Sequence, residues 1–155
     1  MNVAPHIMII ESRECGEVVD HLVKGAIAEL ELAGASHERF AVPGVGEIPA
    51  SIRFAVRSME LFRARRRFDG YLALGCGIVC DSMQSMIYGE RLHALHEVIL
   101  RHTLAVGQGI VIASTMEEAQ EKARPDAGNM GGWATRACLE MIDLKRQLRL
   151  FPRQA

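Results

Sequence analysis

The chain has 155 residues, of which 49% are hydrophobic, which suffices for one buried core and predicts a single domain over residues 1–155. The net charge is −1 and the basic residues are dispersed apart from a run at 63–67, so we expect no general nucleic-acid or anionic-membrane surface. No stretch approaches the roughly 20 apolar residues of a membrane span, and the start of the chain lacks the pattern of a signal peptide. These features predict a cytoplasmic protein.

Apolar periodicity predicts strands that alternate with helices. In chain order we expect a strand over 6–11, a helix over 18–30, a strand over 37–42, a helix from Pro49 to about Phe62 and a strand over 71–79. A third helix then ends near Val106 with Gly107 as its break, and a strand over 110–113, a short helix to Lys122 and a last helix from near Trp133 to about Leu148 follow. This order predicts an α/β fold, a three-layer sandwich around a four-stranded parallel sheet.

The strand from Tyr71 to Val79 is apolar on both faces, as is typical of a buried parallel strand. Small polar residues follow it directly, at Asp81, Ser82 and Gln84. Ligands of open α/β sheets bind at the carboxyl ends of the strands, so this loop is a candidate site.

Glu47 is an acid between apolar neighbours in a segment of turn-forming residues. Two interpretations stay open: the carboxylate caps the helix that starts at Pro49, or it binds a ligand. The two roles are compatible.

Four motifs, in this order, resemble those of 6,7-dimethyl-8-ribityllumazine synthase. They are Val42-Pro43-Gly44-x-x-Glu47-Ile48-Pro49, Phe68-Asp69-Gly70, Ala73-Leu74-Gly75-Cys76-x-Ile78 and Gly128-Asn129-x-Gly131. None is specific alone, but as a set they place the resemblance over residues 7 to about 148. The resemblance implies the flavodoxin-like lumazine synthase fold.

The family resemblance also implies an activity and an assembly. The activity is condensation of 5-amino-6-ribitylaminouracil with 3,4-dihydroxy-2-butanone 4-phosphate in riboflavin biosynthesis, without a cofactor. The assembly is a pentamer, a decamer or an icosahedral shell, with each active site between adjacent subunits.

Several positions depart from the family pattern. Where the family reads Gly-Cys-Val-Ile-Arg-Gly-Glu-Thr-x-His, this chain has Gly77 at the valine and Gln84 at the general acid/base histidine. Glu14 stands where the family has a phenylalanine that stacks on the pyrimidine, and Gly46 replaces a bulky residue. Lys122 aligns with a family arginine.

The substrate-facing residues implied by the resemblance combine retained and substituted positions. Gln84 and Lys122 hold the family's catalytic positions, and the substrate-binding positions are Glu14, Val45, Gly46, Glu47, Cys76, Gly77, Ile78, Asp81, Ser82 and Gln108. Met130 replaces a lysine of the phosphate side, and Arg124 is a candidate for the missing guanidinium.

No metal site is predicted. His93 and His96 have a spacing that can hold a metal, but a third ligand is not evident. Cys76 and Cys80 lie four apart and not in a C-x-x-C pair, so we expect reduced thiols.

The substitutions predict that lumazine synthase activity is weak or lost, since glutamine cannot exchange a proton near neutral pH. The alternatives left open are a non-catalytic paralogue that binds a lumazine, a flavin or phosphate, an oligomeric scaffold, and a new small-molecule chemistry.

Overall fold

The computed structural model describes residues 3–63 and 66–150. Its strands are β1 (His6–Ser12), β2 (Ser36–Val42), β3 (Gly70–Ile78) and β4 (Val106–Ala113). Its α-helices are α1 (Gly16–Leu32), α2 (Ile48–Leu61), α3 (Ser82–Arg101), α4 (Met116–Ala123) and α5 (Met130–Gln147), and a short 3-10 turn, Val45–Glu47, precedes α2.

The four strands form one parallel sheet in the order β2-β1-β3-β4. The chain leaves β1 toward β2 on one side and later adds β3 on the other side. The carboxyl ends of β1 and β3 therefore flank the point where the strand order reverses, which is where open α/β sheets form a binding crevice. The predicted α/β sandwich with a flavodoxin-like parallel sheet is confirmed.

Side-chain alternation along the strands builds two cores. In β1, Ile7 and Ile9 pack with the buried faces of α1, α4 and α5, whereas Met8 and Ile10 pack with α2 and α3. Full burial of an isoleucine side chain contributes about 1.5–3 kcal/mol. The two cores thus hold helices against both faces of the sheet and give the three layers.

The prediction that the third helix ends near Val106 is wrong. Helix α3 ends at Arg101, Thr103 follows with a φ of 55°, and Val106 begins β4. Gly107 lies inside that strand and does not break a helix. A Cβ at Gly107 would be 2.7 Å from the backbone carbon of Ala134, so the glycine lets α5 approach β4.

The last helix begins at Met130, three residues before the predicted start. Asn129 caps it from a left-handed conformation (φ 48°, ψ 46°), and its Oδ1 accepts a hydrogen bond from the Gly132 nitrogen at 3.3 Å. Gly131 lies in this first turn, where a Cβ would be 2.7 Å from the backbone carbon of Leu22 in α1. Gly131 and Gly132 therefore lie in the first turn of α5, and the absence of a side chain at Gly131 lets α1 and α5 pack closely.

Helix α2 ends at Leu61, shortly before the arginine-rich run at 63–67. Residues 64 and 65 of that run fall outside the described residues. Among the helices of residues 3–63 and 66–150, none is long and apolar enough to span a membrane.

Candidate functional site

A cavity of about 410 Å³ opens at the carboxyl ends of β1 and β2. It is lined by Arg13, Glu14, Pro43, Gly44, Glu47 and Arg91. The first two residues follow β1, the next three follow β2, and Arg91 reaches in from α3. The cavity therefore lies at the carboxyl end of β1, one of the two strands that flank the point where the strand order reverses, and it brings together two of the three predicted acids, Glu14 and Glu47.

The two carboxylates converge on Gly44. A Cβ built on Gly44 would lie 3.2 Å from Glu47 Oε2 and 3.3 Å from Glu14 Oε2. Glu47 occupies the residue position before α2 but makes no capping hydrogen bond with its side chain, so the capping interpretation is wrong. Both carboxylates are thus available to accept hydrogen bonds in the cavity.

Arg13 is fixed by acidic partners on its own side of the cavity. Its Nη2 pairs with Asp20 Oδ1 at 2.9 Å and its Nη1 with Glu11 Oε1 at 3.3 Å. Glu11 is buried and is also held by Arg39, through Nε at 2.8 Å and Nη2 at 3.0 Å. Two partners neutralise Arg13 before any ligand arrives.

Tyr88 and Arg91, on the cavity side of α3, were not among the residues predicted from the sequence. The Tyr88 ring lies against Gly77, and the Arg91 guanidinium lies over that ring, 5.0 Å from its centroid. Burial raises the pKa of Tyr88, and the neighbouring Glu14 carboxylate raises it further. The signal that could have found this pair is the loss of bulk at positions 46 and 77.

Gln84, at the family's histidine position, serves the start of α3. Its Oε1 accepts a hydrogen bond from the Cys80 backbone nitrogen at 2.8 Å. The backbone nitrogen of Gln84 donates to Asp81 Oδ1, also at 2.8 Å. These reciprocal bonds cap the helix and leave Asp81, Ser82 and Gln84 exposed at its first turn. The amide of Gln84 is therefore already used as an acceptor within its own loop.

Other predicted residues form the wall behind the cavity. Cys76 and Gly77 are buried in β3, Ile78 is half-buried at its end, and Val45 Cγ2 would be 2.9 Å from a Cβ at Gly75. Burial raises the pKa of the Cys76 thiol to about 12, and the neighbouring Cys15 contributes to the rise. Cys76 is thus a protonated packing residue at neutral pH.

Gln108 and Lys122 lie elsewhere, in a second cavity of about 440 Å³ between β4, α4 and α5. Its lining comprises Val106, Gln108, Lys122, Gly128, Met130, Trp133, Ala134 and Ala137. Among the residues that the structure describes, none lines both cavities. Within one chain the structure therefore separates Gln108 and Lys122 from Glu14 and Glu47.

Lys122 is held by its own helix. Its Nζ pairs with Glu118 Oε1 at 3.0 Å and donates to the Ile112 carbonyl at 3.4 Å. Arg124, the candidate replacement for a guanidinium, pairs instead with Asp126 at 3.1 Å. Trp133 adds an aromatic wall that is 67% exposed and was not predicted as a site residue.

The candidate metal ligand His93 is exposed on α3, with its Nε2 3.8 Å from Glu97 Oε1. Across residues 3–63 and 66–150, no group of three or more histidine, cysteine, aspartate or glutamate side chains is arranged to hold a metal ion. The exposed Met83 and Met86, also on α3, lie outside the two cores.

Comparison with known proteins relates nearly the whole chain to one family. The family model for 6,7-dimethyl-8-ribityllumazine synthase matches residues 4–146. A protein of that name from Bartonella tribocorum is 37% identical over 148 residues, covering 95% of this chain and 94% of its own. One from Paramagnetospirillum magneticum is 34% identical over 145 residues, covering 93% and 97%.

A third relative, 6,7-dimethyl-8-ribityllumazine synthase 1 of Rhodopseudomonas palustris, is 37% identical over 143 residues, covering 92% of this chain and 86% of its own. These matches extend over nearly all of the chain. The chain belongs to the 6,7-dimethyl-8-ribityllumazine synthase family.

Proposed function

We propose that this protein carries out the lumazine synthase reaction at a low rate, with the first cavity as the part of the active site where substrate groups bind. The observation that supports this is Glu47, an acid of the family motif that lies in a cavity at the strand ends and makes no cap. In that reaction the amine of 5-amino-6-ribitylaminouracil forms an imine with the ketone of 3,4-dihydroxy-2-butanone 4-phosphate. Phosphate then leaves, and ring closure releases water.

The cavity residues would act mainly by holding the reactants. Glu47 and Glu14 accept hydrogen bonds from hydroxyl or amine groups, and Arg91 donates to an oxygen. Holding two reactants in place can contribute as much as about 7–11 kcal/mol to a lowered barrier. A chain that keeps this contribution keeps some catalysis without the histidine.

The low rate follows from Gln84. General acid/base catalysis contributes about 10²–10⁴ in rate, and glutamine cannot supply it. The Gln84 Oε1 also accepts a hydrogen bond from the Cys80 nitrogen, which restricts how far this side chain can turn toward a substrate. We therefore expect a rate between that of the uncatalysed condensation and that of a histidine-containing relative.

Self-association is part of the proposal. Gln108 and Lys122 line a different cavity from Glu14 and Glu47, so one chain presents two separate half-sites. If copies assemble as the family resemblance implies, Lys122 of one subunit would approach the first cavity of its neighbour. Lysine retains a charge for the phosphate but lacks the bidentate fork of arginine.

The test is lumazine formation from both substrates by the purified protein, followed by absorbance against the uncatalysed condensation. Acceleration that falls with Glu47→Gln supports the proposal, and the exposed Glu117→Gln, on α4, is the matched control. No acceleration above the spontaneous rate at any protein concentration would rule out an enzyme.

A second candidate function is a non-catalytic ring-binding protein, and Trp133 is the observation that favours it. The indole is exposed beside Met130 in the second cavity, where an aromatic ligand would stack. Trp133 is the single tryptophan of the chain, so its fluorescence reports on this cavity alone. Quenching by riboflavin or lumazine, without lumazine formation, would favour this candidate.

A further inference from the structure

Two glycines beside the first cavity make room for two large side chains of α3. A Cβ at Gly77 would be 2.5 Å from Tyr88 Cε1, a separation that real Cβ contacts do not show. Tyr88 is only 8% exposed, so its ring is packed against neighbouring residues and would have to move to admit a Cβ at Gly77. A valine, as in the family motif at this position, is incompatible with the ring where it lies.

Gly46 does the same for Arg91. A Cβ at Gly46 would be 3.2 Å from Arg91 Nε and 3.6 Å from its Cδ. The family carries a bulky residue at this position, and the side chain of such a residue would extend into the volume that Arg91 fills. The Arg91 guanidinium therefore lies between Gly46 and the Tyr88 ring, with a cation–π separation of 5.0 Å.

Arg91 is the unpaired cation of the cavity. Arg13 has two carboxylate partners, whereas Arg91 has none within 4.0 Å among the described residues. Glu14 and Glu47 likewise have no cationic partner within that distance in the described ranges. The cavity thus offers one guanidinium with no carboxylate partner and two carboxylates with no cationic partner, of which Glu14 lies beside Tyr88.

We infer that Arg91 binds an anionic oxygen of the ligand in this cavity, and that Tyr88, Gly77 and Gly46 are positioning residues that hold its guanidinium there. The inference deepens the proposed function, since it assigns a cation to the same cavity. Charge-assisted hydrogen bonds from a guanidinium fork suit phosphate and carboxylate oxygens.

The two carboxylates narrow the class of ligand. A bare anion is repelled by Glu14 and Glu47, whereas hydroxyl groups donate hydrogen bonds to them. A small hydroxylated phosphate satisfies both kinds of group, and a hydroxylated carboxylate shares this chemistry. We expect the cavity to prefer glycerol 3-phosphate over inorganic phosphate and over glycerol, with glycerate as the carboxylate comparison.

The experiment is calorimetric titration of the full-length assembled protein with these four probes. Arg91→Met should weaken glycerol 3-phosphate binding about tenfold or more, as expected for loss of a hydrogen bond to a charged group. Arg91→Lys should retain part of the affinity, since it keeps the charge without the fork. Arg101→Met, an exposed arginine at the far end of the same helix, is the control and should bind as the wild type does.

The positioning role has its own readout. Tyr88→Phe keeps the ring beneath the guanidinium and should bind glycerol 3-phosphate normally, whereas Tyr88→Leu should weaken binding about two- to fivefold. Gly46→Val tests the same point from the other side and should also weaken binding, because its side chain enters the space of Arg91. If Tyr88→Leu and Gly46→Val bind glycerol 3-phosphate as tightly as Tyr88→Phe and the wild-type protein do, the positioning role is refuted.

The outcomes separate this inference from the proposed function. Binding that depends on Arg91, in a protein that forms no lumazine, supports the inference and removes the enzymatic proposal. Lumazine formation that depends on Lys122 and not on Arg91 leaves the enzyme standing and overturns the inference. Absence of glycerol 3-phosphate binding to the wild-type protein overturns it as well.

Discussion

The ring of Tyr88 occupies the space that a side chain at Gly77 would fill, with Cε1 2.5 Å from the position of a Cβ there. The two residues lie on β3 and α3, and the chain between them turns through the loop that contains Asp81 and Gln84. The absence of a side chain at Gly77 and the large ring of Tyr88 therefore complement each other. We expect a change at either residue alone to lower the free energy of unfolding.

Gly77→Ala should lower the free energy of unfolding by about 1–3 kcal/mol, since it overpacks a closed contact. Gly89→Ala is the matched control, because Gly89 lies in α3 with nothing within 4 Å of its would-be Cβ. That control should be neutral or stabilising by about 0.5–1 kcal/mol. Adding Tyr88→Val to Gly77→Ala should recover part of the loss in a denaturation double-mutant cycle. Strict additivity of the two changes would contradict the pairing.

Cys15 starts α1 from a left-handed conformation, φ 55° and ψ 52°, with no cap from its side chain. Asn129 has nearly the same conformation at the start of α5, and its side chain does cap that helix. Cys15→Asn should therefore raise stability by about 0.5–1 kcal/mol, because asparagine tolerates this region and favours the cap position. Thermal unfolding at a fixed protein concentration measures it. Cys15→Ala is the comparison, and equal stability of the two variants would argue against relief of strain.

Two side chains cap the start of α3. Asp81 accepts a hydrogen bond from the Gln84 backbone nitrogen, and the Gln84 side chain accepts one from the Cys80 backbone nitrogen. Asp81→Ala should cost about 1 kcal/mol, the usual value of a lost cap. Ser82→Ala, at the next residue, removes a hydroxyl outside this pair and should cost less. Gln84→His should restore an ionisable side chain but forfeit the bond to the Cys80 nitrogen. We expect it to destabilise the helix start, which hydrogen exchange of the first α3 amides would detect.

Glu118 links the loop after β4 to α4. Hydrogen bonding from the Ser114 nitrogen, with the charge of Lys122, holds the pKa of Glu118 below its usual value of 4.5. Because the folded-state pKa is depressed, its stabilising contribution is present above about pH 4.5 and is lost as the pH falls through the lower folded value. Glu118→Gln should have a lower free energy of unfolding than the wild-type protein at neutral pH. The difference in free energy between the two should shrink as the pH falls below about 4.5. The neighbouring Glu117→Gln should show no such pH-dependent gap.

Several elements of the fold could be predicted from the sequence because they depend on local chemistry. Four of these local signals agree with the structure. They are the apolar run of β3, the 3.6-residue period of α1, Pro49 in the first turn of α2 and the Thr115 cap of α4. The order of these elements was enough to predict a three-layer fold around a parallel sheet. The four motifs were enough to predict the family.

Features that depend on contacts between distant elements could not be predicted from the sequence and are seen in the folded chain. From the sequence, Gly107 was predicted to break a helix, but in the structure it allows α5 to pack against β4. Gly77 and Gly46 looked like positions that had lost a bulky side chain, but Tyr88 and Arg91 fill that space. The resemblance implies substrate-facing roles for both Lys122 and Glu47, yet within one chain the fold places them in separate cavities. Periodicity and capping are local, whereas close packing and the convergence of charges are set by which surfaces meet across the sheet.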